Sequence, residues 1–188
     1  MSRGYSVAQT ARLVCALRWI CGRLSEVLEA WAAQAADTPE HAEAAASMSE
    51  LSRRLASHRE ALDGLQPDSE VMAPWRQAAP ADVALVAALD EIAASEGSLE
   101  RLDIARKVLV PELLRVYAEI CEHAAPHCDG ALISTSGLLG FDLDREHRAG
   151  GAPGDGAEGR GAVNEAERAL AEVGGIVGPS VLRFDGWP

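Results

Sequence analysis

The chain has 188 residues and a formal net charge of −12; 48% of it is hydrophobic but only 4% aromatic. That is one domain's length with enough apolar material for a core, which excludes wholesale disorder. The acidity argues against nucleic acid and anionic membranes as partners, because both would be repelled.

About one residue in five is alanine, the strongest helix former, while β-branched and aromatic residues are sparse, so an all-α fold is predicted. Lys107 is the one lysine beside sixteen arginines, a compositional trace of GC-rich coding. No apolar run reaches the roughly 18 residues of a membrane span, and Arg12, Arg18 and Arg23 interrupt the first apolar segment, unlike a signal-peptide core. A cytoplasmic protein is expected, with Cys15, Cys21, Cys121 and Cys128 as reduced core thiols, because none forms a C-x-x-C motif and Cys21 and Cys121 fall inside apolar helical stripes.

Ser6 and Gln9 form a capping box, opening a first helix that runs to about Ala36. Val14, Leu17, Cys21, Leu24, Leu28 and Trp31 recur along it at three- and four-residue steps. Thr38-Pro39 reads as the cap and first position of a second helix ending near Asp63, with Gly64 as its stop. Its stripe of Met48, Leu51, Leu55, His58 and Leu62 puts a histidine in the core. Gln66 to Ala79 is a crossover around Trp75, followed by a short helix from about Pro80 to Glu96.

Ser98 is expected to cap the next long helix, with the stripe Leu99, Leu102, Leu109, Leu113, Val116 and Ile120, kinked at Pro111. Asp129 is expected to cap a further helix through Leu132, Leu139 and Leu143 to about His147. Residues 149–162 read as a glycine-rich linker, which lacks the spacing of a phosphate loop. A last helix, Val163 to Val173, precedes an extended apolar tail. The domain reading is a bundle over 1–148, a linker over 149–162, and a C-terminal helix with tail over 163–188.

Two long helices, a crossover and two more long helices give the connectivity of a ferritin-like four-helix bundle, here with a short extra helix in the crossover. Arg18-Trp19 through Leu28-Glu29-Ala30-Trp31, Ser47 to Leu62, Val108 to Tyr117, Ala124 to Asp129, and Asp142 to His147 resemble the helices of small bacterial ferritin-like proteins. The resemblance covers roughly residues 7 to 147. It implies a di-iron or di-manganese site built from one glutamate on each of two helices and a Glu-x-x-His pair on each of the others.

This sequence carries that ligand pattern only in degenerate form. Asp144-x-x-His147 is a shortened pair. Glu50 is followed three residues on by Arg53, which cannot ligate a cation, and Glu43 by Ala46. Glu26 lies across the first helix from Leu24 and Leu28. No catalytic residue is assigned and no cofactor is expected; a residual metal site would draw on Glu119, His123, Asp144 and His147, with iron or manganese as the cation.

The candidate ligand pocket is a polar cluster of His58, Glu119, His123 and His147 with Tyr117, since bundle cores are where small-molecule pockets form. His127-Cys128 reads as a surface turn, because adjacency in sequence does not hold a base beside a thiol. Trp19, on the face opposite the stripe, and Phe184 and Trp187 in the tail are candidate partner contacts. The function expected is metal-independent binding of a small molecule or a protein. A metal oxidoreductase and a structural protein assembling through Trp19 and the tail are the alternatives, and a homodimer is left open.

Overall fold

The computed structural model describes residues 5–66, 70, 73, 77–80, 82–149 and 160–177. Trp75, most of the glycine-rich stretch, and Val181, Leu182, Phe184 and Trp187 lie outside them, and with them the expected tail docking.

Among the described residues the fold is all-α, without strands. Helix α1 spans Val7–Ala36, about 45 Å at ~1.5 Å per residue. The expected capping box is formed: the Ser6 hydroxyl accepts from the Gln9 N–H, and the Gln9 side chain accepts from the Ser6 N–H at 2.8 Å. Most of α1 is buried, flanking residues Leu13, Ile20 and Val27 included, so it is the central rod rather than a one-faced surface helix.

Thr38 supplies no side-chain cap; Pro39–His41 form one 3-10 turn, and α2 then spans Ala42–Asp63. Gly64 ends it in a right-handed conformation, so the stop there does not use glycine's left-handed freedom. The α1–α2 hairpin is antiparallel and tightly joined. Arg18 pairs with Asp63, and Ser25 and Ser52 each donate to the other's carbonyl, at 3.0 and 2.8 Å.

Helix α3 spans Val83–Ala93, capped by the Asp82 carboxylate, which accepts from the Leu85 N–H at 2.9 Å. Its last carbonyl, Ala93, accepts from the Trp31 indole at 3.0 Å, which ties α3 to α1. Gly97 makes the turn into α4, Ser98–Ile104, with a φ of 83° that favours glycine. Gly97 therefore takes the cap position, and the Ser98 hydroxyl caps nothing.

A π-helical turn over Ala105–Leu109 joins α4 to α5, Val110–His123. It resolves the Pro111 problem. Pro111 has no N–H and crowds the carbonyl four residues back; the wider turn, closed by the Val110 N–H on the Ala105 carbonyl, takes up that crowding. The extra residue also rephases the expected stripe. Leu99 is exposed and Leu102 only half-buried, while Ile104, Ala105, Val108 and Leu109 are buried.

Helix α6 spans Gly130–Ala149. Asp129 holds the position before it, its carbonyl accepting from the Ile133 N–H at 2.9 Å, but its carboxylate does not cap: it turns back to accept from the Ala125 N–H at 3.0 Å and the Thr10 hydroxyl at 2.8 Å. Side chains from all seven helices and the π turn join in one buried core. Helix α7, Arg160–Glu172, starts three residues before the expected Val163 and packs Val163, Ala166 and Leu170 over α3, α4 and the π turn. Gly174 and Gly175, at φ 81° and 89°, then reverse the chain and bring Ile176 and Val177 into the core.

Candidate functional site: a buried relay between four helices

The polar residues that meet inside the bundle do so because helical spacing stacks them. On α2, Glu50, Arg54 and His58 are four apart and share one face, as do Asp142 and Glu146 on α6. His58 is 2% exposed. Its Nδ1 is 3.2 Å from the Tyr117 hydroxyl, and its Nε2 is 3.4 Å from Asp142. The Tyr117 hydroxyl in turn lies 3.5 Å from the Cys21 thiol on α1.

Beyond Asp142 the line continues to Arg54, whose guanidinium meets three carboxylates: Asp142 at 2.6 Å, Glu50 at 3.0 Å and Glu146 at 3.1 Å. Cys21, Tyr117, His58, Asp142 and Arg54 thus form one hydrogen-bonded line from α1 through α5 and α2 to α6, dry at one end and half-exposed at the other.

The electrostatics follow from that gradient. Burial pushes the Cys21 thiol up to about 11, and burial with the nearby Cys21 drives Tyr117 well above the usual phenol range, so both stay protonated at neutral pH. Burial also lowers His58, against the opposing pull of Asp142, which favours the neutral imidazole. Burial alone would raise Asp142, but the hydrogen bond and charge of Arg54, helped by His58, outweigh it and hold the carboxyl below its usual range. For Arg54, burial is likewise outweighed by its three carboxylates, and it is held as a cation.

Of the expected pocket residues, the structure brings together only His58 and Tyr117. Glu119 turns outward to Arg115 at 2.6 Å. His123 is exposed, its Nδ1 on the Glu119 carbonyl at 2.9 Å. Asp144 pairs with Arg148, and His147 is half-buried with an unpartnered Nδ1. Among the described residues no three His, Cys, Asp or Glu side chains converge to hold a metal ion.

Arg53, expected to spoil the second ligand pair, is an exposed side chain on Glu50; the inward arginine is Arg54. Glu26 points outward, as expected. Cys15 and Cys21 are buried, whereas Cys121, placed in an apolar stripe by its spacing, is exposed, as is Cys128. Trp19 is half-buried and packs against the core.

A second feature lies on the outside of the α5–α6 hairpin. Gly137 and Gly140 let α6 approach α5 beside Cys121 and Tyr117; an added Cβ at Gly140 would sit 3.5 Å from that of Tyr117. The resulting groove, about 270 Å³, runs between Leu114 and Ala118 on one side and Phe141 on the other. Phe141 is 69% and neighbouring Leu138 71% exposed, and Ser136, wholly buried under the groove, has a hydroxyl without a partner.

No helix among the described residues is long and apolar enough to cross a membrane. No protein-family model matches the chain, and no curated protein and no solved structure matches it either.

Proposed function

We propose that this protein is a metal-independent bundle of the ferritin-like kind that works by binding a protein partner on the outer face of α5 and α6. The ferritin-like part rests on the order of α1, α2, a crossover carrying α3, and the α5–α6 hairpin. Metal independence rests on Arg54. Its guanidinium lies among carboxylates from α2 and α6, and a fixed positive charge there neutralises the acids a di-metal centre would need.

The observation that carries the binding reading is the apolar outer face beside a core of buried side chains. Leu138 and Phe141 leave about 70% of their surface in water one turn apart, and Phe141 lines the groove between α5 and α6. A small molecule is the second reading, favoured by the unpartnered Ser136 hydroxyl, which suits an apolar ligand with one hydrogen-bonding group.

Elemental analysis of protein purified without chelator should give well under one equivalent of iron or manganese per chain. Two tightly bound equivalents would instead favour the oxidoreductase alternative. Affinity capture with wild type and Phe141→Asp tests the face: a partner held by the first and released by the second, at unchanged thermal stability, is the expected result.

A further inference from the structure

The direction of each hydrogen bond in the relay follows from its donors and acceptors. The Asp142 carboxylate, held ionised by Arg54, can only accept, so the His58 Nε2 that faces it at 3.4 Å carries a proton. A neutral imidazole has one N–H, which leaves Nδ1 bare to accept from the Tyr117 hydroxyl at 3.2 Å. Tyr117 has then spent its single proton, and its oxygen accepts from the Cys21 S–H at 3.5 Å. With His58 neutral the line runs one way, from Cys21 through Tyr117 into His58.

A second proton on His58 turns the line round. Both ring nitrogens then donate, and Nδ1 gives its hydrogen to the Tyr117 oxygen. The phenol hydrogen has to leave that side and point at the Cys21 sulfur, and the thiol hydrogen loses its acceptor. Among the described residues the titratable and charged groups facing His58 are Arg54 on its own helix, Asp142 on α6 and Tyr117 on α5, with Cys21 on α1 behind it. Neither Tyr117 nor Cys21 escapes the reversal by ionising, because burial holds both protonated.

We propose that Cys21, Tyr117 and His58 form a proton-set switch, in which a proton taken up at His58 reverses both hydrogen bonds of the line and is registered at the Cys21 thiol inside α1. Asp142, about a third exposed, is where the proton reaches the line, and Cys21, wholly buried in the central rod, is where its arrival is felt. Sulfur is a weak acceptor, so the reversed line is the poorer one and lasts only while the extra proton is present. Arg54 biases the resting state: it keeps Asp142 ionised, which fixes the nitrogen that is protonated, and its own charge resists the second proton.

Infrared spectroscopy of the full chain tests the switch, because the S–H stretch lies where other protein groups do not absorb. With the exposed Cys121 and Cys128 alkylated, two thiols remain, and the Cys21 band is the one lost in Cys21→Ala. As the pH is lowered from about 7, that band should move to higher frequency, as a thiol losing its acceptor does. Its midpoint should equal that of the His58 ring followed by NMR in the same sample. Tyr117→Phe, which removes the link and keeps the ring, should leave the band unmoved while His58 still titrates. A Cys21 band that stays in place while His58 titrates in wild type overturns the switch, and so does the same shift in Tyr117→Phe. Loss of the helical circular dichroism signal before His58 titrates also overturns it, since the reversed line then has no folded state. If Tyr117→Phe does not fold, the two wild-type midpoints decide alone.

Discussion

The Arg54 guanidinium on α2 and the Asp142 carboxylate on α6 are 2.6 Å apart, and the same guanidinium also binds Glu50 and Glu146. One cation thus holds three acids from two helices. Arg54→Ala should leave those acids repelling one another and destabilise the fold by about 2 kcal/mol, below the figure for a sealed pair because the carboxylates are a quarter to a third exposed. The variant should recover stability on adding a divalent cation such as manganese, while wild type should not respond. Chemical denaturation with and without the metal gives the answer; equal response of both proteins would count against Arg54 as the occupant of that position.

The relay also sets a pH dependence. Burial depresses His58 below the ordinary 6.5, so between those values the unfolded chain binds a proton that the folded chain does not. Its contribution is therefore complete above about 6.5 and is lost as pH falls through the folded value. Asp142, held below its usual 3.8, adds a second loss at more acid pH. The melting temperature should fall between pH 7 and pH 5, and His58→Gln should flatten that part of the curve. An unchanged slope in the variant would place the acid sensitivity elsewhere.

The four thiols should separate into two pairs. Cys121 and Cys128 are exposed and should react with an aromatic disulfide reagent within minutes in the native protein. Cys21 is buried with its thiol pushed up to about 11, and Cys15 is buried with its Sγ on the Gln77 carbonyl; both should react only on unfolding. Counting native against denatured thiols checks this, and three or four fast thiols would contradict the closed α1 core.

Much of the scaffold was legible because local chemistry and periodicity agreed. Ser6 with Gln9 fixed the start of α1, and the stripe through Met48 and Leu62 placed His58 inside. The relay was legible only in part. The Glu-x-x-His spacing leads from Glu50 to Arg53, three residues on, whereas the side chain that points inward is the one four residues on, Arg54. The signal was present: Glu50, Arg54 and His58 recur at four-residue steps, and Asp142 and Glu146 do the same on α6. What no single helix could reveal is which charged face meets which, since that depends on how α2 and α6 pack. Glu119 and His123 misled because a four-residue spacing says that two side chains are neighbours, and nothing about whether they look in or out.

The π turn at Ala105–Leu109 amounts to one surplus residue spliced into an otherwise continuous rod. Each residue advances a helix by about 100°, so this surplus sets the rotational phase of α4 independently of α5. Deleting Lys107 should therefore change the phase of the rod, and it should also cost stability, because an ordinary α turn brings back the crowding at Pro111 that the wider turn relieves. With the turn restored to ordinary α geometry, α5 would keep its grip on the core, while α4 would swing about a quarter-turn and exchange the buried Ile104 for another side of the helix. The chain can in this way alter the surface that α4 offers to α7 without altering a single side chain of the relay.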